Sequence, residues 1–266
     1  MKSKTGKKVD SKEQNTKKNL IDFRILLLIV TIVLGHQFYL TFGFVDEFGY
    51  ADSFWIITLA TGIIAITVAK KFWHHDVFRT SYMALGICFL MLFFGDITYI
   101  FYDVVLGVDP YPSVADVFYL GFPLFGCIHL TLNIKNFSQG FSKKTKVLIT
   151  LLGIGLVLLY IIIALTILQE TNFDFYFGLL YVITSAIMLS LAVCGVIVFR
   201  HSNLAMIWML IATGIIIYSI TDLWYYLIEL VDGYSPTHPV NTLWILSSLV
   251  IIYGLILHHR IVVSEK

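Results

Sequence analysis

Eight apolar stretches alternate with short polar segments along the chain, at about 24–43, 53–72, 82–103, 116–135, 147–168, 175–199, 204–228 and 240–259. Each approaches or exceeds the roughly 20 residues a helix needs to cross about 30 Å of hydrocarbon. In lipid only a helix bonds all of its own backbone groups, because an open strand leaves an unsatisfied edge. The pattern therefore predicts eight transmembrane helices. The connections are too short to hold a soluble domain between spans. The first stretch follows a basic segment, as in a signal peptide, but the Gly35-His36-Gln37-Phe38 after it lacks a small-x-small cleavage site. It reads as a retained signal-anchor.

Composition sharpens this picture. Of the 266 residues, 58% are apolar and only 13% are Asp, Glu, Lys or Arg, about half the roughly 25% of an ordinary soluble domain. Such a chain cannot cover a soluble surface, which excludes a soluble enzyme, a disordered chain and a nucleic-acid-binding domain. The fold class expected is an all-α, polytopic integral membrane bundle. Residues 1–24 hold eight basic and three acidic residues, so 1–23 reads as a basic, disordered cytoplasmic tail that can rest on anionic lipid. Lys70, Lys71, Arg79, Lys135, Lys143, Lys144, Lys146, Arg200 and Arg260 all lie at one end of the spans, and the opposite loops contain no Lys or Arg. By the positive-inside rule both termini are then cytoplasmic, in a cell membrane. The cysteines Cys88, Cys127 and Cys194 lie inside apolar stretches, as small packing residues and without metal or redox spacing.

The second half reads as a diverged copy of the first. At an offset of 126, Met83 meets Met209, Asp96 meets Asp222, Tyr99 meets Tyr225 and Asp103 meets Glu229; one residue out of step, Asp116 meets Asn241 and Tyr119 meets Trp244. The expected organisation is a membrane repeat over 24–135, a second over 147–259, and a short tail over 260–266. An even number of spans per copy keeps both copies in the same orientation. Ionisable groups within spans are costly and are functional candidates. Asp96 and Asp222 fall in the outer leaflet, with Tyr99 and Tyr225 at i+3 and Asp103 and Glu229 at i+7 on the same helical faces. The pseudo-twofold axis brings these four carboxylates toward one another with no Lys or Arg on that side. Such a group takes up protons, binds a cation, or locks helices through Tyr, Ser and Thr hydroxyls. Tyr39, Trp55, Tyr102, Tyr111, Tyr226, Tyr234, Trp244 and other aromatics lie at the same level, where they form an interfacial belt or line a pocket for a cationic or amphipathic ligand.

The loop between spans three and four carries Asp109-Pro110-Tyr111-Pro112-Ser113-Val114-Ala115-Asp116. Ser113 and Asp116 have capping-box spacing, which makes Asp116 a cap before it is a ligand. Pro239 suits the first turn of span eight, and Pro123 frees a carbonyl within span four. His238, in an outer loop, is a candidate pH-responsive group. Gly95-Asp96, Tyr99, Asp109-Pro110, Pro112-Ser113, Ala115-Asp116, Tyr119-Leu120 and Pro123 together resemble a multi-pass membrane sensor region. That region is found ahead of diguanylate-cyclase and histidine-kinase output domains in bacteria and archaea. The resemblance covers about 30 residues of spans three and four and implies signal reception at the membrane. The expectation is that no output domain follows, in which case a sensor of this kind would need a separate partner, or the module has another use.

Other chemistries fit less well. No mid-span lysine exists for a retinal Schiff base, and the Pro-Ala-Leu motif of aspartyl intramembrane proteases is absent. His36 lies in the outer half of span one and His129 in the inner half of span four, while His74, His75, His201, His258 and His259 read as residues of the cytoplasmic edge. An inner-half polar pathway would favour transport, and none is evident, because below Asp96 and Asp222 the spans offer only Ser, Thr and His129. The expectation is a receptor-like sensory module whose outward pocket involves Asp96, Tyr99, Asp103, Asp109, Asp116, Asp222, Tyr225 and Glu229. A small-solute or cation transporter is the second reading and a membrane enzyme the third. No cofactor, metal or nucleic acid is called for. The partners expected are the lipid bilayer and a cytoplasmic signalling protein or a second copy of the chain.

Overall fold

The computed structural model describes residues 22–42, 51–138, 140–169, 171–200, 205–231, 233–235 and 237–264; the basic tail over 1–21 lies outside them. Among the described residues the chain forms α1 (Phe23–Phe42), α2 (Ala51–Lys71), α3 (Asp76–Ile100), α4 (Val114–Phe137), α5 (Lys143–Leu168), α6 (Phe173–Phe199), α7 (Ala205–Glu229) and α8 (Pro239–Ser264). A π-helical turn, Phe101–Val105, continues α3. All eight segments are long and apolar enough to cross a membrane, the signature of a multi-pass membrane protein.

Several helices begin earlier than hydropathy alone predicts. α3 starts at Asp76, where the Arg79 guanidinium pairs with the Asp76 carboxylate at 2.9 Å. This ion pair at i, i+3 helps a helix continue past the hydrocarbon into the polar interface. α4 starts with a capping box: the Asp116 carboxylate accepts from Ser113 N at 2.8 Å, and the Ser113 hydroxyl oxygen accepts from the first turn of the helix. The predicted Ser-x-x-Asp cap is thus formed, and Pro239 occupies the first position of α8 as its fixed φ favours.

Six helices close into a ring in the order α2, α3, α4, α6, α7, α8 and back to α2. α1 packs outside the ring on α8, and α5 outside it on α6 with a smaller contact to α7. Advancing the ring by four helices reproduces its own neighbour order, since α2–α3–α4 corresponds to α6–α7–α8. The outer pair breaks the correspondence: a strict twofold would seat α5 on α4, whereas it lies on α6. Close approach within the ring relies on small residues. A Cβ on Gly62 or on Gly86 would come within 3.2 Å of the other's carbonyl oxygen, so α2 and α3 touch through backbone, as small residues permit in lipid.

Candidate functional site

One end of the ring carries Lys70, Lys71, Arg79 and Lys135 and is here the basic end; the other carries Asp103, Asp109 and Glu229 and is the acidic end. Near the acidic end, Asp96 is buried at 8% exposure. Its carboxylate accepts from the Thr58 hydroxyl of α2 at 3.3 Å and from the Tyr119 hydroxyl of α4 at 3.2 Å. α3 is thereby tied to both of its ring neighbours. Gly95 makes this possible, because a Cβ there would stand 2.6 Å from the Tyr119 ring. The missing side chain lets the ring cross α3 and reach the next residue's carboxylate.

Asp222 holds the corresponding place on α7. It is half-buried and accepts from the Ser185 hydroxyl of α6 through Oδ2. Its Oδ1 receives no hydrogen bond from the described residues. Thr58 and Ser185 occupy corresponding helices, so each aspartate meets a hydroxyl from the helix before it in the ring. The correspondence ends at the second donor. Tyr119 serves Asp96, whereas the Nε1 of its counterpart Trp244 is buried without a partner among the described residues. Tyr218, one turn before Asp222, lies within electrostatic reach of both aspartates. Its ring meets Phe122 at 4.2 Å and Trp244 at 6.4 Å between centroids, which places it at the middle of the ring of helices.

Not all of the expected residues converge. Asp116 is buried, but its carboxylate is taken by the Ser113 amide and by the Tyr181 hydroxyl at 2.7 Å, which ties α4 to α6. Tyr181 in turn stacks on Tyr226 at 5.0 Å, beside Asp222. Tyr99 and Tyr225 lie near each other, and Tyr225 packs against Trp244 at 5.4 Å with Glu229 one turn beyond. Asp103, Asp109 and Glu229 stand exposed at the acidic rim. Asp103 lies in the π-helical turn, which bonds Leu106 N to the Phe101 carbonyl. Asp109 accepts from Tyr111 N at 2.9 Å and shapes its own loop. Tyr111 donates to Asp174 at 3.3 Å; partial desolvation and that carboxylate raise its hydroxyl above the ordinary phenol range. His238 accepts from Val240 N at 3.3 Å and caps α8.

A second polar level, nearer the basic end, was largely missed in the sequence. His129 Nδ1 lies 2.8 Å from Ser81 Oγ and 2.9 Å from the Ser81 carbonyl oxygen, and Asn133 donates to Ser81 Oγ at 2.5 Å. Facing a carbonyl oxygen, Nδ1 carries the ring proton in the neutral histidine. On the next residue of α3, the Tyr82 hydroxyl meets His258 Nδ1 at 2.5 Å. His258 is 1% exposed, so near the basic end it is a buried core residue. Phe72, Phe78 and Trp208 pack around Tyr82 and His258. The inner half is thus richer in polar groups than Ser, Thr and His129. Two signals were present: His129 and Asn133 sit at i, i+4 on one face, and His258 extends the buried stripe of Ser247, Ile251 and Leu255. Between the levels lies an apolar layer that includes Cys88, Phe89, Phe122, Met188, Ile211 and Ile215, all buried.

Among the described residues no group of three or more His, Cys, Asp or Glu side chains converges as a metal site, and the three cysteines are free thiols. No family model, curated protein or solved structure matches the chain.

Proposed function

We propose that the protein is a receptor-like sensory module of the membrane. Its acidic end faces outward and takes a small cationic or polar ligand between Asp222, Asp96 and the tyrosines around Tyr218. The observation that carries this reading is the open half of Asp222: among the described residues its Oδ1 lacks a hydrogen bond where Asp96 has two donors, and the Trp244 N–H lacks an acceptor. A cation there gains from the carboxylate and from aromatic faces. The basic end, by the positive-inside rule, faces the cytoplasm, where a signalling partner or second copy reads a change in helix packing. The correspondence of α2–α3–α4 with α6–α7–α8, and of Asp96 with Asp222, supports descent of the two halves from one repeat. The resemblance to membrane sensor regions points the same way, because Gly95, Asp96 and Tyr119 are the residues that meet in the structure.

The test uses purified protein in detergent, with choline chloride as the probe and sodium chloride at equal ionic strength as the control. Choline should raise the melting midpoint of the wild type and not that of Asp222→Asn, while the unliganded variant melts near the wild type. Equal protection of the two proteins, or none of either, overturns the reading. A transporter is the second reading, favoured by the polar level of Ser81, His129, Asn133, Tyr82 and His258 on the far side of the apolar layer. Choline flux into liposomes containing the protein would favour it.

A further inference from the structure

We propose that α2 and α8 form, at the basic end, a binding site for one anionic phospholipid, independent of the chamber at the acidic end. α1 lies on α8 without touching α2, so α2 and α8 border a stretch of surface that no described helix covers. A groove of about 230 Å³ opens there, lined by Ile64, Thr67 and Val68 of α2 and Ile256, His259 and Arg260 of α8.

The two walls are helical stripes of the same design. On α2 the face runs Ile64, Thr67, Val68 and then Lys71, at i, i+3, i+4 and i+7; on α8 it runs Ile256, His259 and Arg260, at i, i+3 and i+4. Each stripe is apolar toward the bilayer centre and cationic at its end. The Thr67 hydroxyl bonds back to the Ile63 carbonyl at 2.8 Å, which leaves that wall without a free donor. Lys71 and Arg260 are exposed, and neither forms an ion pair with a described residue.

The occupant follows from size and charge. The groove is open along the lipid-facing surface, and its volume of about 230 Å³ suits a length of acyl chain. An apolar slot with the Arg260 guanidinium in its lining, and with Lys71 one turn beyond Thr67 on α2, complements a chain that ends in a phosphate. Basic pockets between helices on the cytoplasmic side bind anionic headgroups for this reason. Arg260 offers a fork of donors to the phosphate oxygens, and Lys71 adds a point charge. A zwitterionic lipid brings its own cation to the same place and gains less.

The experiment uses the full chain in neutral detergent. Native mass spectrometry counts retained lipid, and melting curves follow added phosphatidylglycerol, phosphatidylcholine or glycerol phosphate. Phosphatidylglycerol should be retained and should raise the melting midpoint above that with phosphatidylcholine. Retention should fall about fivefold for each basic residue removed in Lys71→Gln and Arg260→Gln. The control Lys143→Gln/Lys144→Gln removes two charges from another loop and should keep retention. Ile256→Trp, which fills the slot and leaves both charges, should lose it. Equal retention of the two lipids, an equal loss in the control, or full retention by Ile256→Trp overturns the proposal. Protection by glycerol phosphate alone also overturns it, since the site would then need no acyl chain.

Discussion

Replacing Gly95 with Ala tests how the Asp96 site is assembled. The added methyl carbon would stand 2.6 Å from Tyr119 Cε1 and 2.7 Å from Cδ1, about 1 Å inside an ordinary carbon contact. The ring cannot simply swing aside, because its hydroxyl is tethered to Asp96 at 3.2 Å. Moving the ring by about 1 Å lengthens that bond beyond useful range. Overpacking costs about 1–3 kcal/mol, and a lost hydrogen bond between membrane helices adds about 0.6 kcal/mol. The expected loss for Gly95→Ala is therefore about 2–3 kcal/mol, against about 0.6 kcal/mol for Tyr119→Phe, which removes the bond and leaves the ring. Equilibrium unfolding in mixed micelles measures both. In a Tyr119→Ala background the ring is gone, and Gly95→Ala should be nearly neutral, a coupling of about 2 kcal/mol. An equal loss in both backgrounds would refute the claim that Gly95 exists to admit Tyr119.

Three further outcomes are expected. Asp116→Ala removes the capping partner of Ser113 and the acceptor of Tyr181 together, so it should destabilise by about 1–3 kcal/mol in the same micelle assay, more than Ser113→Ala at about 1 kcal/mol. His129→Leu strips the Ser81 hydroxyl and carbonyl of their imidazole partner inside the bundle and should cost about 1–3 kcal/mol, while Asn133 keeps its bonds to Ser81 Oγ and to the backbone carbonyl of residue 129. A membrane-impermeant amine reagent applied to intact cells should leave Lys143 and Lys144 unlabelled; labelling from outside would reverse the assigned orientation.

The helices were legible because lipid imposes one solution on an apolar run of this length. The cap at Ser113 and Asp116 was legible for a similar reason, since its chemistry is local. Asp96 and Asp222 could be singled out because a carboxylate in an apolar span needs a partner, and the structure supplies Thr58, Tyr119 and Ser185. What sequence could not give was rotation. The π-helical turn over Phe101-Tyr102-Asp103-Val104-Val105 has no compositional mark. The eighth apolar stretch takes in His258, but its hydropathy does not mark that residue as part of the buried face of α8. The order of packing is set by contacts between distant segments, so neither the six-membered ring nor the outlying α1 and α5 could be read from spacing.

The apolar layer between the two polar levels bears on how information crosses the bundle. Phe89 and Phe122 meet edge to face at 5.5 Å within it, and Cys88, Met188, Ile211 and Ile215 complete it. Besides these side chains the layer holds buried hydroxyls such as Ser219, Ser247 and Ser248 but no charged group among the described residues, so the binding of a cation at Asp222 reaches the basic end through shifts of whole helices. α3 carries both levels, with Ser81 and Tyr82 fifteen and fourteen residues before Asp96, a separation of about 20 Å along the axis. α4 carries Tyr119 and Asp116 above His129 and Asn133, and α7 carries Asp222 above Trp208. Substitutions that far apart normally add to within about 0.5 kcal/mol. If the bundle has two packings that both levels bias, Asp96→Asn and Tyr82→Phe should depart from additivity by more than that in the micelle assay. Strict additivity would mean that the levels are independent locks, and a sensor working through α3 would then be excluded.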